Sequence, residues 1–145
     1  MEEAESLKLS NQICFPIYSL SKEVVNQYRP FLDQLDLTYP QYLVMLVLWE
    51  SDGVTVGNIG DKLALDTGTL TPLLKRLEAK EMIHRKRSAE DERIVLISLS
   101  EKGKNMKDLA CKIPNQMKQK FDLTDEEILS LKQIIYKILN SKTSK

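Results

Sequence analysis

Apolar side chains recur at steps of three and four residues near both ends of the chain, which is the spacing of one helix face. The first stretch predicts a helix over residues 9–35. The last predicts a helix that begins at a capping box, Thr124-Asp125-Glu126-Glu127. Both faces hold more apolar surface than a small domain needs, so we expect them to pack in a two-fold dimer. The two faces consist of Ile13, Ile17, Leu20, Val24, Tyr28, Phe31 and Leu35, and of Ile128, Leu131, Ile134, Ile135, Ile138 and Leu139.

The middle of the chain predicts shorter helices. Thr38-Tyr39-Pro40 opens a second, almost wholly apolar helix, and Ser51-Asp52-Gly53 ends it. Two further helices, at about 56–65 and 67–80, are joined by a tight turn. That pair is typical of a helix-turn-helix.

The pattern then changes from helix to strand. Residues 82–87 and 93–98 no longer follow the helical period and are predicted as strands. They flank a polar turn at 88–92, which predicts a β-hairpin. A helix follows over about residues 100–120, and Pro114 is expected to bend it.

This order of elements predicts a single chain that is mainly α with a small β-hairpin wing. We expect a winged helix-turn-helix at residues 37–103, flanked by dimerisation helices at residues 1–36 and 104–145.

Charge is unevenly distributed in a chain whose net charge is zero. Residues 1–54 carry three basic and eight acidic side chains, a net −5, whereas residues 75–104 carry nine basic and six acidic ones, a net +3. The basic midsection indicates a polyanionic partner.

Composition excludes several classes of protein. The longest apolar run, 42–49, is too short to span a bilayer, and the N-terminus lacks the features of a signal peptide. We therefore expect a cytoplasmic chain that makes no use of a membrane and whose thiols are reduced at rest. Two cysteines and the single histidine, His84, have no metal-ligand spacing, and no cofactor motif is present. The expectation is a protein without metal or cofactor that is not an enzyme.

The second helix of the predicted helix-turn-helix is the candidate for reading DNA. Its N-terminal end, which enters the major groove in such proteins, is rich in short hydroxyls, and a basic pair follows. The alternative is that the threonines only cap the helix and the basic pair is solvated surface. The candidate DNA-binding residues are Thr67, Gly68, Thr69, Thr71, Pro72, Lys75 and Arg76.

Basic side chains also surround the hairpin turn. Arg85, Arg87 and Arg93 are candidate DNA ligands, because an arginine near the tip of a wing can lie in a narrow minor groove. Asp91 stands among them, and we expect it to pair with Arg93 and orient it.

Cys14 has two interpretations from chemistry alone. A free cysteine is most often a small buried residue. A redox sensor needs a low thiol pKa and access to the oxidant. Pro16 bears on the choice, because the helix either begins near Phe15 or bends at the proline. The first arrangement places Cys14 at a helix N-terminus, where the macrodipole favours a thiolate.

The chain resembles the MarR family of transcriptional regulators, and more narrowly its organic-hydroperoxide-sensing, OhrR-type branch. The wing segment Asp91-Glu92-Arg93 with Ile94–Leu99 and Glu101-Lys102-Gly103 matches the family's signature. Further segments resemble the branch: Asn11–Phe15, Leu37–Leu43, Leu65–Arg76 and Arg85–Arg93.

That resemblance implies a role for Cys14 as the peroxide-reactive residue. It implies that Tyr28 and Tyr39 of a partner subunit hydrogen-bond the thiolate and that Tyr18 lies near it. A reduced homodimer would then bind an inverted-repeat operator in double-stranded DNA, as a repressor. An organic hydroperoxide would convert Cys14 to a sulfenic acid, and that acid would condense with a second thiol. The two wings of the dimer would then lose the spacing that fits the DNA.

The second thiol has two candidates. Some members of the branch use another cysteine in an inter-subunit disulfide, which would make Cys111 the resolving residue here. Others have one cysteine and cap it with a small cellular thiol.

Two other functions compete with redox sensing. One is a regulator of the same fold that a phenolic or lipid-like ligand gates without a covalent bond, with Cys14 inert. The other is a peroxidase-like enzyme, for which the sequence offers no general-base constellation.

Overall fold

The structure is a computed structural model, and it describes residues 2–141. Residues 142–145, the end of the predicted second dimerisation segment, lie outside the described residues. The helices are α1 (Glu3–Ser6), a 3-10 turn (Leu9–Asn11), α2 (Cys14–Asp33), α3 (Tyr39–Glu50), α4 (Val56–Leu63), α5 (Thr67–Ala79), α6 (Glu101–Ala110), α7 (Ile113–Phe121) and α8 (Asp125–Asn140). The strands are β1 (Val54–Thr55), β2 (Ile83–Arg87) and β3 (Val95–Leu99). The chain divides into two compact units, Met1–Cys111 and Lys112–Lys145.

The first unit contains the predicted winged helix. β2 and β3 form the antiparallel hairpin, and β1 adds to the other edge of β3 in the order β1-β3-β2. The carboxylate of Asp52 stabilises this edge, because its Oδ1 accepts from the backbone N–H of Leu99 at 2.8 Å and of Gly53 at 2.9 Å. Gly53 has a φ of +73°, a conformation that glycine adopts without strain. β1 was not predicted, because two residues are too short to show an alternating pattern.

The core of this unit packs the helix-turn-helix against α3. Leu70, Leu73, Leu74 and Leu77 of α5 are all buried, as their spacing predicts, and Ile59 of α4 joins them. Full burial of one such side chain stabilises the fold by about 1.5–3 kcal/mol. α5 therefore has one face fixed in the core while its other face stays exposed.

Two helix boundaries differ from the sequence prediction. α2 begins at Cys14, so Pro16 occupies its first turn, where a missing N–H costs nothing, and no bend is required. The predicted single helix over 100–120 is wrong, since α6 ends at Ala110 and α7 begins at Ile113. The ring of Pro114 would clash with the carbonyl four residues earlier, that of Ala110, so the helix is interrupted before the proline instead of bending at it.

The second unit consists of α7 and α8. The predicted capping box is present: Thr124 Oγ1 accepts from the N–H of Glu127 at 3.1 Å, and Glu127 Oε1 accepts from the N–H of Thr124 at 3.0 Å. α8 leaves its aliphatic stripe exposed, with Ile134 at 57% and Ile138 at 55% of full exposure. Within residues 2–141, no helix is both long and apolar enough to cross a membrane.

Candidate thiol site and nucleic-acid interface

Cys14 is the first residue of α2, and its side chain is exposed. The preceding residue, Ile13, offers no side-chain cap to the first-turn N–H groups. Between the two interpretations of Cys14, the structure therefore excludes a buried core residue within this chain.

Of the three tyrosines expected near the thiol, only Tyr18 lies close to Cys14 along the same chain. Tyr18 lies one helical turn after Cys14 on the same face of α2, is exposed, and has the Nζ of Lys22 5.2 Å from its ring centroid. Tyr28 is fourteen residues after Cys14, about 21 Å along the helix at about 1.5 Å per residue. Its ring contacts that of Tyr39, with centroids 4.8 Å apart. The chain therefore brings Tyr28 and Tyr39 together but holds them far from its own Cys14.

Burial keeps these phenols protonated. It raises the pKa of Tyr28 and of Tyr39 above the ordinary value of 10.0, and for Tyr28 the neighbouring Tyr39 adds to the effect. Both hydroxyl groups are therefore hydrogen-bond donors at neutral pH. A pair of O–H donors is suited to stabilise a thiolate brought to it from another chain.

Tyr42 and Trp49 extend the aromatic cluster into the core, and sequence reasoning missed both as part of the site. The ring of Tyr42 lies 5.6 Å from that of Tyr28 and 6.4 Å from that of Trp49. Burial raises the pKa of Tyr42 to about 12. Trp49 Nε1 donates to the carbonyl of Gly103 at 2.9 Å. The spacing of Tyr39 and Tyr42, three residues apart on one helix, is the signal that could have identified Tyr42.

Cys111 lies at the interruption between α6 and α7. It is the C-cap residue directly after α6, its side chain is exposed, and its thiol donates to the carbonyl of Asp108 at 3.0 Å. The thiol is accordingly available to a reagent from solvent.

The predicted DNA-reading side chains lie on the exposed face of α5. Thr67, Gly68, Thr69, Pro72, Lys75 and Arg76 are exposed, and Thr71 is half-buried. The hydroxyl of Thr71 donates to the carbonyl of Thr67 at 2.9 Å, a bond within the helix that caps neither of its ends.

Asp66 caps α5, a role that sequence reasoning did not assign. Its Oδ1 accepts from the N–H of Thr69 at 3.1 Å, and hydrogen bonding by Thr69 lowers the pKa of the carboxyl. An aspartate directly before the helix is the signal for this cap. The N-terminal cap of α5 is therefore supplied by Asp66 and not by a threonine hydroxyl.

The wing presents an ordered arginine near its tip. Arg93 is 90% exposed, and its Nε and Nη2 donate to the two carboxylate oxygens of Asp91 at 3.1 and 3.2 Å. The predicted ion pair is thus present, and the hydrogen bonds from Arg93 lower the pKa of Asp91, which stays ionised at neutral pH. Arg87 Nη1 donates to the carbonyl of Glu92 at 2.9 Å and closes the base of the loop.

A depression of about 180 Å³ separates α5 from the wing. Thr67, Thr71, Arg85 and Arg93 line it, together with the apolar Val56, Leu74 and Val95. Arginine and threonine side chains are common ligands of phosphate oxygens. Among residues 2–141, no three His, Cys, Asp or Glu side chains are grouped to hold a metal ion.

The fold and these two sites define a winged helix-turn-helix regulator with an exposed thiol. The sequence model for the transcriptional regulator SarA/Rot family matches residues 26–109. Over 137 residues the chain is 47% identical to the organic hydroperoxide resistance transcriptional regulator of Bacillus subtilis, covering 94% of this chain and 93% of that protein. It is 38% identical over 140 residues to the regulator SarZ of Staphylococcus saprophyticus, covering 97% and 95%.

Solved structures agree with this assignment. Reduced AbfR bound to DNA superposes with a TM-score of 0.81 at 32% identity, over 98% of this chain and 99% of that one. AbfR is known from Staphylococcus epidermidis, and it has also been solved overoxidised on DNA and in a disulfide form. The chain belongs to the MarR-type winged-helix transcriptional regulators, in the organic-hydroperoxide-sensing, OhrR-type branch.

Proposed function

We propose that this chain is a cytoplasmic, homodimeric repressor that binds an inverted-repeat operator when reduced and leaves it when an organic hydroperoxide oxidises Cys14. One observation carries the proposal. Cys14 stands exposed at the start of α2, about 21 Å along the helix from a pair of protonated phenols, Tyr28 and Tyr39, that only a second chain could bring to it.

Dimerisation would complete the thiol site. The start of α2 exposes Ile13 and Ile17 at 72% and 53%, and α8 exposes a stripe of the same kind. Exposed apolar surface of this extent on a helix marks an interface. We assign the apolar faces of residues 1–36 and 104–145 to a dimer interface, and a two-fold axis would place Cys14 of one subunit near the phenols of the other.

The chemistry of sensing follows from the thiolate. Cys14 sulfur attacks the terminal hydroperoxide oxygen, the O–O bond breaks, and the alkoxide leaves as an alcohol after taking a proton. The sulfenic acid then condenses with a second thiol, which forms a disulfide and releases water. Phe15 and Tyr18 are exposed on the same turn and favour an organic over an inorganic peroxide. The protein is consumed stoichiometrically, so we propose no enzymatic turnover.

DNA recognition would use both surfaces of the winged helix. α5 would enter the major groove with Thr67, Thr69 and Thr71 toward base edges and phosphates, while Arg93, held by Asp91, would enter the minor groove. Each subunit would read one half-site, so that the dimer reads an inverted repeat. The existence of AbfR complexes with DNA in reduced and overoxidised forms, beside a disulfide form, supports condensation as the releasing step.

The salt dependence of binding tests the DNA assignment. The reduced protein should bind its operator with an affinity that falls by about 10³-fold or more between about 50 and 200 mM salt, because the basic face releases condensed counterions. Fluorescence anisotropy on an operator duplex measures this, and cumene hydroperoxide should then release the bound DNA. An affinity independent of salt would contradict the assignment.

Mass spectrometry under non-reducing conditions tests the resolving thiol. After oxidation by cumene hydroperoxide, we expect a Cys14–Cys111 crosslink between chains, because both thiols are exposed. Addition of a small thiol to Cys111→Ser protein should give a mixed disulfide on Cys14 instead. If wild-type protein oxidised with the same small thiol present carried a mixed disulfide on Cys14 and a free Cys111 thiol, the small thiol and not Cys111 would be the resolving thiol.

A non-covalent ligand is the second candidate signal. A hollow of about 220 Å³ between α2 and α3, with Val25, Arg29 and Tyr39 in its walls, is the observation that favours it. A phenolic ligand there would release DNA from Cys14→Ser protein as readily as from the wild type, whereas a hydroperoxide would not.

A further inference from the structure

A lysine at the end of the DNA-reading helix is bonded to the turn that precedes α3. Lys80 is the C-cap residue directly after α5, and its side chain is 27% exposed. Its Nζ donates to the carbonyl of Asp36 at 2.6 Å and to Gln41 Oε1 at 2.9 Å. The carboxylate of Asp36 is 83% exposed and lies 3.7 Å away, so the ion pair adds little to the two hydrogen bonds.

Gln41 is also the residue that fixes the first turn of α3. Its Oε1 accepts from the N–H of Thr38 at 3.1 Å, and Thr38 Oγ1 accepts from the N–H of Gln41 at 3.3 Å. The side chain is buried, at 3% exposure. Tyr39, one of the two phenols of the thiol site, is the first residue of this turn. Gln41 Oε1 therefore accepts two hydrogen bonds, one from the turn that carries Tyr39 and one from Lys80 after α5.

The other side of Lys80 is attached to the wing and α6. The carbonyl of Lys80 accepts from Lys102 Nζ at 2.9 Å. Two residues on, the carbonyl of Met82 accepts from the N–H of Ser100 at 3.0 Å, where β3 meets α6. A displacement of Lys80 would accordingly move the DNA-reading helix and the root of the wing together.

We propose that Lys80 is a positioning residue that transmits the state of the thiol site to the DNA-reading helix, through Gln41 and the first turn of α3. The inference rests on the proposed redox function. When oxidation of Cys14 displaces Tyr39, the capped turn moves with it, and the two hydrogen bonds oblige the end of α5 to follow. The charge-assisted hydrogen bonds from Lys80 Nζ to the carbonyl of Asp36 and to the buried amide of Gln41 are what join these elements.

The measurement is the ratio of the operator Kd of oxidised protein to that of reduced protein. Lys80→Met keeps most of the side-chain stem and removes its donors. The wild-type ratio measures the coupling between the two sites, typically about 5- to 150-fold, and we expect Lys80→Met to bring it most of the way to one. Reduced Lys80→Met should bind the operator within about threefold of wild type, since one lost charge has a small effect. The rate of sulfenic acid formation at Cys14 should not change.

Lys104→Met is the matched control, because it removes the same charge from an exposed side chain that only pairs with Glu101 on its own helix. Its ratio should equal that of the wild type. Lys80→Arg, which retains donors to both acceptors, should restore most of the ratio. In a double-mutant cycle, Gln41→Leu should add little to the effect of Lys80→Met on the ratio, because both substitutions remove the same hydrogen bond between Lys80 and Gln41.

An unchanged ratio in Lys80→Met would overturn the inference, and so would a parallel loss of affinity in both redox states, which a merely structural lysine would give. A wild-type ratio near one would instead overturn the proposed redox function, so the two failures are distinguishable. A ratio lowered equally in Lys104→Met would assign the effect to charge alone and would also overturn the role of Lys80.

Discussion

Cys14→Ser protein is expected to stay on its operator at concentrations of cumene hydroperoxide that release the wild type. A hydroxyl at this position is not nucleophilic toward a peroxide, so neither a sulfenic acid nor a disulfide forms. Wild-type affinity should fall by about 5- to 150-fold on oxidation, the range of typical coupling energies, while that of the variant changes less than about twofold. Anisotropy titrations before and after treatment measure both.

Cys111→Ser is the control for this experiment, since it removes the other exposed thiol and leaves the first. With a small thiol present, it should still respond to peroxide. If Cys14→Ser were released as readily as the wild type, Cys14 would not be the sensor.

Arg93→Ala is expected to weaken operator binding by about 5- to 150-fold, which corresponds to about 1–3 kcal/mol for a groove-reading arginine. The guanidinium is 90% exposed and already oriented by Asp91, so its loss should affect the complex and leave the fold intact. Asp91→Asn should have a smaller effect, because the arginine remains but is less well ordered. Anisotropy measures affinity, and circular dichroism checks the fold.

Lys8→Ala removes the same charge from a lysine near the N-terminus, where Lys8 pairs with Glu5. It should bind the operator like the wild type. An Arg93→Ala affinity equal to that of this control would remove the wing from the proposed interface.

Elements with strong local signals could be predicted from the sequence. The leucine spacing of α5, the capping box of α8 and the charged hairpin each depend on residues a few positions apart, and each is present. The break between α6 and α7 was mistaken for a bend, although Pro114 marked its place.

Features that depend on residues distant in the chain could not be predicted in this way. Lys80 lies 39 residues from Gln41 and Trp49 lies 54 from Gly103, and no local pattern pairs them. The sequence likewise gives no local signal for β1, because a two-residue strand is defined only by its pairing with β3. The roles of Cys14, Tyr28 and Tyr39 stay predictions, since they depend on a second chain.

The exposed aliphatic stripe of α8 bears on how many thiols must be oxidised before the operator is released. If the proposed dimer buries that stripe, its subunits would exchange slowly, because separated chains would expose the apolar surface to water. A dimer with one oxidised thiol would then persist as a mixed species. If operator binding needs both half-site contacts, oxidation of one thiol in each dimer would release every dimer from DNA.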